Sequence, residues 1–175
     1  SDIFENVMYK DSPLGYDIAG SKKTVTSFDR NTFVDYMQSL YHPHNAVLMI
    51  AGGLKEAKDL MKVVQETFSK WDGGTSSTFL TFDKTQTKPR IHVEHKKSEQ
   101  AHFCLGFPTY GIEDKRRPVM KVLATLLGGG ASSRLFQEVR EKRGLCYYIG
   151  TGVEQYQDIG NIVTQSGITK EVPKV

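Results

Sequence analysis

Several places in this chain combine residue types that can do chemistry. His92-Val93-Glu94-His95 sets two imidazoles beside a carboxylate, the groups a zinc ion and its general base would use. The zinc signatures built on such a set place their histidines at i and i+4, one turn apart on a helix. Here the histidines are three apart in a segment that alternates like a strand, which points them to opposite faces, so no metal is expected there. His42-Pro43-His44 has no cysteine or carboxylate beside it to complete a site and reads as a helix-to-strand connection. Gly128-Gly129-Gly130 could offer backbone N–H groups to an anion. A phosphate loop, however, follows a strand and carries Gly-Lys-Ser/Thr, whereas this run follows a helix and continues into Ala131-Ser132-Ser133-Arg134. It is expected to let backbone approach another group closely. There is no G-x-S-x-G elbow and no partner arrangement for Cys104 or Cys146, so nucleophilic catalysis has no support.

Arg140 and Tyr147 remain. By type alone Arg140, among Glu138, Glu141, Lys142 and Arg143, is a solvated helix charge, and Tyr147 is a core aromatic. Their position argues otherwise. Arg140 falls in the last turn before Gly144 stops the helix, and Tyr147 opens the strand that follows. Such a turn can bring a guanidinium and a phenol to one end of a domain, where both can donate hydrogen bonds to a peptide carbonyl or to the oxyanion that develops from it.

The elements that must position these residues follow from periodicity. Ile3, Phe4, Val7 and Met8 predict a helix at 3–10, and Pro13, Gly15 and Gly20 a loop at 11–20. Phe33, Tyr36, Met37 and Leu40 predict a helix over 28–40 with Ser27 as its N-cap. The apolar run at 46–52 predicts a strand buried on both faces. Ala57, Leu60, Met61, Val64 and Phe68 predict a second helix over 55–70, closed by Trp71. The Gly-, Ser- and Thr-rich stretch 72–89 is expected to link two units, 1–71 and 90–175. In the second unit, strands are expected at 90–95 and 101–107 and a helix at 118–127. A further helix is expected at 133–143, capped by Ser132 or Ser133, and then strands at 145–156 and 159–168. The class is α+β with mainly antiparallel pairing.

Composition narrows the partners. The net charge of +3 comes from 23 Lys and Arg interleaved with 20 Asp and Glu, which argues against a nucleic-acid footprint concentrated on one face. No apolar run reaches the ~18 residues of a membrane span. Cys104 and Cys146 lie far apart in apolar stretches and are expected as buried free thiols, which favours a reducing, cytoplasmic setting. The start, SDIFENVMY, reads as the middle or end of a helix, so the chain is expected to be a piece of a longer protein.

At this point a resemblance enters. SSRLFQEVREKRGLCYYI (132–149) resembles the insulinase/pitrilysin family of inverted-zincin peptidases, to which the mitochondrial processing peptidases belong. The segment PLGYDIAGSKKTVTSFDRNTFVDYMQSLYHPHNAVLMIAGGL (13–54) is similar to the second half of that family's first domain. The resemblance implies paired α+β units, each an antiparallel sheet covered by helices, with this chain spanning the end of the first and the start of the second. It implies a zinc metalloendopeptidase whose H-x-x-E-H helix and downstream glutamate would lie before Ser1, so zinc belongs to the parent enzyme and not to this piece. The family's arginine–tyrosine pair, which contacts the substrate backbone opposite the zinc, falls on Arg140 and Tyr147. Its glycine-rich substrate loop falls on Gly128, Gly129 and Gly130, in a shorter form. The implied partners are a peptide or unfolded polypeptide and a second copy or homologous subunit. The alternative is a non-catalytic partner subunit of the same family.

Overall fold

The structure, a computed structural model, describes residues 2–54, 59–71, 73–75, 78–83 and 85–169. It is built from short helices and one antiparallel sheet, the α+β class expected. In order come α1 (Asp2–Met8), α2 (Lys22–Ser27), α3 (Arg30–Leu40), α4 (Leu60–Phe68), β1 (Gln100–Tyr110), α5 (Arg117–Gly128), a π-helical turn (Phe136–Glu141), β2 (Cys146–Gln155) and β3 (Ile159–Thr169). The chain forms two compact units, Ser1–Ile18 with Thr81–Val175, and Ala19–Leu80. This division differs from the 1–71 and 90–175 units expected around a linker at 72–89. The start of the chain belongs with the later residues because its apolar side chains are buried among them.

That first unit is the sheet and what lies on it. The strand order is β1-β3-β2, with β3 antiparallel to both neighbours, so β1 and β2 run parallel and α5 provides the crossover between them. Cα partners run from Gln100↔Thr169 to Tyr110↔Ile159 on one side of β3, and from Cys146↔Ile168 to Gln155↔Gly160 on the other. The core is Met8, Tyr9 and Ile159, with Phe4, Leu14, Phe82 and Tyr156 packed around it. The Tyr9 ring meets Phe82 and Tyr156 edge-on, at centroid distances of 5.5 and 5.4 Å. Its buried hydroxyl accepts a hydrogen bond from Asn161 Nδ2 at 2.8 Å. Arg90 holds the end of α1 by donating from Nη1 to the Val7 and Met8 carbonyls, at 3.1 and 3.0 Å.

The second unit contains α2, α3 and α4. Asp29, not Ser27, caps α3: the Thr32 N–H donates to Asp29 Oδ1 at 2.8 Å, and the Asp29 N–H donates back to the Thr32 hydroxyl. The Thr32 N–H and the Thr32 hydroxyl, each donating to Asp29 Oδ1 at 2.8 Å, hold that carboxyl below its ordinary value. Ser27 instead ends α2, a helix without apolar periodicity that is set by the Ser21–Thr24 capping box. None of the three helices buries a residue among the described ones; Phe33, Tyr36 and Met37 are exposed.

The strand expected at 46–52 is not formed: the segment pairs with nothing among the described residues, and Val47 and Met49 are 92 and 84 % exposed. A strand buried on both faces needs neighbours on both sides; the three-stranded sheet supplies none here. The strand expected at 90–95 is likewise unpaired, with Ile91 exposed. The helix expected over 55–70 begins at Leu60; residues 55–58, Ala57 among them, lie outside the described residues.

Candidate functional site

The carboxyl end of α5 begins the site. Gly128 is buried against β2: a Cβ added there would lie 2.4 Å from the Thr151 nitrogen and 2.5 Å from its hydroxyl. Its role in the structure is close helix–sheet contact, whereas Gly129 and Gly130 are exposed and Gly130 faces open space. The expected helix over 133–143 is mostly π-helical. Two residues of α-helix at 134–135 pass into the turn Phe136–Glu141, where the Lys142 N–H reaches back to the Gln137 carbonyl at 3.0 Å. The Ser133 hydroxyl is buried and makes no hydrogen bond, so the serine side-chain cap expected there is not formed.

Gly144 stops this turn in the left-handed region, with φ of 61°. Its N–H donates to the Arg140 carbonyl at 2.9 Å, and the Leu145 N–H donates to the Val139 carbonyl at 3.1 Å. The Arg140 backbone is therefore part of the stop itself. Nearby charges do not consume its side chain. Glu138 takes both Lys142 and Arg143, and the Lys142 hydrogen bond holds that carboxyl below its ordinary value. The Arg140 guanidinium lies over the Phe136 ring, 4.6 Å from its centroid, and has no carboxylate partner among the described residues.

Tyr147 sits where β2 is irregular. Cys146 pairs with Ile168 and Tyr148 with Gly167, so Tyr147 is the extra residue of a β-bulge. Its side chain is 57 % exposed. The structure thus puts Arg140 and Tyr147 on two departures from regular geometry, a π-turn and a bulge, joined through the Gly144 stop. Departures of both kinds are common where a side chain must be re-aimed. No hydrogen bond joins the two side chains, which leaves the donors of both open to a third group.

Sequence reasoning did not single out His102 and Tyr148. They occupy the same rung of the sheet, on the outer strands, with Gly167 between them. His102 Nδ1 and the Tyr148 hydroxyl are 3.2 Å apart. The bulge conceals this pairing in the sequence, because it shifts the alternation of β2 by one residue. Both cysteines are free; Cys146 is buried as expected, but Cys104 is exposed, on the same face of β1 as His102.

Metal ligands are a different matter. Among the described residues no group of three or more His, Cys, Asp and Glu side chains is placed to hold an ion. His92 and His95 are exposed in an unpaired segment, and Glu94 lies 3.3 Å from Lys96. The buried His42 ring has a hydrogen bond at neither nitrogen. These residues do not fit a zinc centre.

Comparison with known proteins agrees with the resemblance carried by 132–149. The sequence profile of the peptidase M16 inactive domain matches residues 27–175. An uncharacterized zinc protease of Bacillus subtilis is 34 % identical over 170 residues, 95 % of this chain and 40 % of that protein. One from Rickettsia felis is 36 % identical over 158 residues, 90 % of this chain and 37 % of its own length. This chain therefore spans about two fifths of the curated relatives it matches. Two crystal structures share the fold at 21 % identity. A peptidase M16 inactive domain from Pseudomonas fluorescens has a TM-score of 0.80 over 98 % of this chain and 41 % of that one. A protease from Helicobacter pylori has a TM-score of 0.78 over 97 % and 42 %. The chain belongs to the peptidase M16 family of zinc proteases.

Proposed function

We infer that this chain is the substrate-holding part of a zinc metalloendopeptidase that hydrolyses peptides or unfolded polypeptides. The carrying observation is the pair of exposed donors at the Gly144 stop, Arg140 unpaired over Phe136 and Tyr147 on the bulge. A guanidinium and a phenol hydroxyl that are both free to donate suit a peptide carbonyl. They suit better still the negative charge that carbonyl oxygen gains during hydrolysis. Gly129 and Gly130 are the exposed part of the glycine run, the part that substrate could approach; Gly128 is committed to packing. The zinc named in the relatives would be held by residues other than these, in a second half or a partner subunit facing this site. The uncovered apolar sides of α3 and α4 agree with a larger assembly, since an amphipathic helix gains its stability by burying that stripe.

In the full-length protein, Arg140→Ala and Tyr147→Phe are each expected to lower kcat/KM for peptide cleavage by about tenfold or more, as for lost transition-state hydrogen bonds. Unchanged rates in both variants would remove the assignment.

A second reading has its own support. The matched domain is described as inactive, which suits a subunit that binds substrate or partner without cutting. Zinc content and peptidase activity of the full-length protein separate the two. One zinc per chain with turnover marks the enzyme; neither, with peptide binding retained, marks the partner subunit.

A further inference from the structure

The sheet face opposite α5 carries a polar pair that neither the core nor the Gly144 stop uses. On this face α1 covers one end: Phe4 and Met8 lie against Gly106, and Tyr9 reaches Asn161. Two rungs further along β1, nothing among the described residues covers His102, Cys104 or Tyr148, and all three are exposed. His102 and Tyr148 stand on the two outer strands, and the central strand places a glycine between them. That glycine is what lets them meet. A Cβ on Gly167 would fall 2.5 Å from Tyr148 Cε1 and 3.0 Å from Cδ1, so the ring lies across β3 only because Gly167 has no side chain. The φ of Gly167 is not positive, so its backbone imposes no need for glycine.

The pair has a hydrogen-bonding property that holds for either tautomer of the neutral ring. If the phenol donates to Nδ1, the imidazole Nε2–H remains as a donor and the phenol oxygen as an acceptor. If Nδ1–H donates to the phenol, the phenol O–H remains as a donor and Nε2 as an acceptor. Either way one donor and one acceptor are left on an exposed sheet face, the complement of a single peptide group. Tyr148 directly follows the bulge residue Tyr147, so the rung starts one residue along β2 from the Gly144 stop.

We propose that the His102–Tyr148 pair, laid over Gly167, is a docking rung for the main chain of an extended peptide. It is a subsite beyond the group held by Arg140 and Tyr147, and this placement rests on the peptide-binding reading of that pair. It makes affinity depend on peptide length and is indifferent to the peptide's side chains. The bonds it offers go from side chains on the sheet face to the peptide backbone, which every peptide carries whatever its side chains.

The test is peptide binding to the full-length protein, read by fluorescence anisotropy. One labelled extended peptide of about twelve residues and one labelled dipeptide, whose single peptide group can occupy only one of the two places, are compared. His102→Ala, Tyr148→Phe and Gly167→Ala are each expected to weaken the long peptide by about three- to tenfold, the effect of a hydrogen bond or two. The short peptide should keep its affinity. Gly167→Ala removes neither polar group and acts only by lifting the ring, so its agreement with the other two variants marks the pair as the cause. Thermal unfolding of each variant identifies any that has lost its fold, and Tyr148→Phe, which removes one exposed oxygen, retains it. Equal long-peptide affinity in wild type and Tyr148→Phe overturns the rung. So does an equal loss for both peptides, or no peptide binding at all. Arg140→Ala with unchanged affinity for both peptides instead faults the first site and leaves the rung to be judged on its own three variants.

Discussion

At the scale of single residues, the described core is held by a buried tyrosine with a polar end. Tyr9 is fully buried, and its phenol pKa is pushed up to about 12, chiefly because burial penalises the phenolate, against the favourable hydrogen bond from Asn161. Burial raises Tyr156 beside it as well. An unfolded tyrosine ionises near 10. The folded phenol therefore keeps its proton where the unfolded one has lost it. The stabilising contribution is whole below pH about 10 and is lost as pH rises through about 12. Spectrophotometric titration is expected to show the last tyrosine ionising together with unfolding in that window. In Tyr9→Phe the late step should disappear. All tyrosines titrating near pH 10 with the fold intact would contradict this account. Arg140 illustrates a different lesson at the same scale. Its neighbours in sequence made it look like one more solvated charge, but Glu138 is already taken by Lys142 and Arg143. Only the pairing pattern shows which of three cations is left over.

At the scale of elements, the helix-to-strand passage around Gly144 controls the candidate site. Gly144 is in the left-handed region, where a Cβ costs about 1–2 kcal/mol. Gly144→Ala is expected to lower stability by about that amount and to disturb the Arg140 and Tyr147 placement together, seen as weaker peptide binding. Gly128→Ala acts differently. The added carbon would press on the backbone of Thr151, and α5 would have to move off β2. Overpacking of that kind costs about 1–3 kcal/mol. A lowered urea midpoint with peptide affinity per folded molecule unchanged would fit a packing role. A midpoint within error of wild type in either variant would show that the local geometry is softer than these contacts imply. The boundaries of α5 and the β2–β3 hairpin were legible in the sequence, because each has a strong period and a turn or glycine at its end; β1, expected at 101–107, runs on to Tyr110. The strands at 46–52 and 90–95 were read from an apolar run and a short alternation, and neither pattern supplies the neighbour that a strand must bond.

At the scale of the whole molecule, apolar surface is the dominant feature. Met49 is 84 % and Met61 68 % exposed, and Phe33, Tyr36 and Met37 share the exposed side of α3. Exposed apolar faces mark surfaces that meet other protein or ligand, and the larger assembly proposed above would cover them. Peroxide is expected to oxidise Met49 and Met61 readily in the isolated chain and markedly more slowly in the full-length protein, as read by mass spectrometry. Equal rates in both would show that nothing covers them. Among the described residues no helix is long and apolar enough to cross a membrane.

The family and the α+β class were carried by the sequence itself, in the motif at 132–149 and in the alternation of β1 and β3, because both depend on local spacing alone. The same motif singles out Arg140 and Tyr147 as the pair proposed to hold substrate. Three things only the tertiary structure decided: that α1 joins the later sheet through Tyr9, that Arg140 lies on a π-turn and Tyr147 on a bulge, and that His102 meets Tyr148 over Gly167. The reason is common to all three. Each depends on contacts between residues distant in sequence, or on one extra residue in a turn or strand, and neither leaves a period in the chain that could be read beforehand.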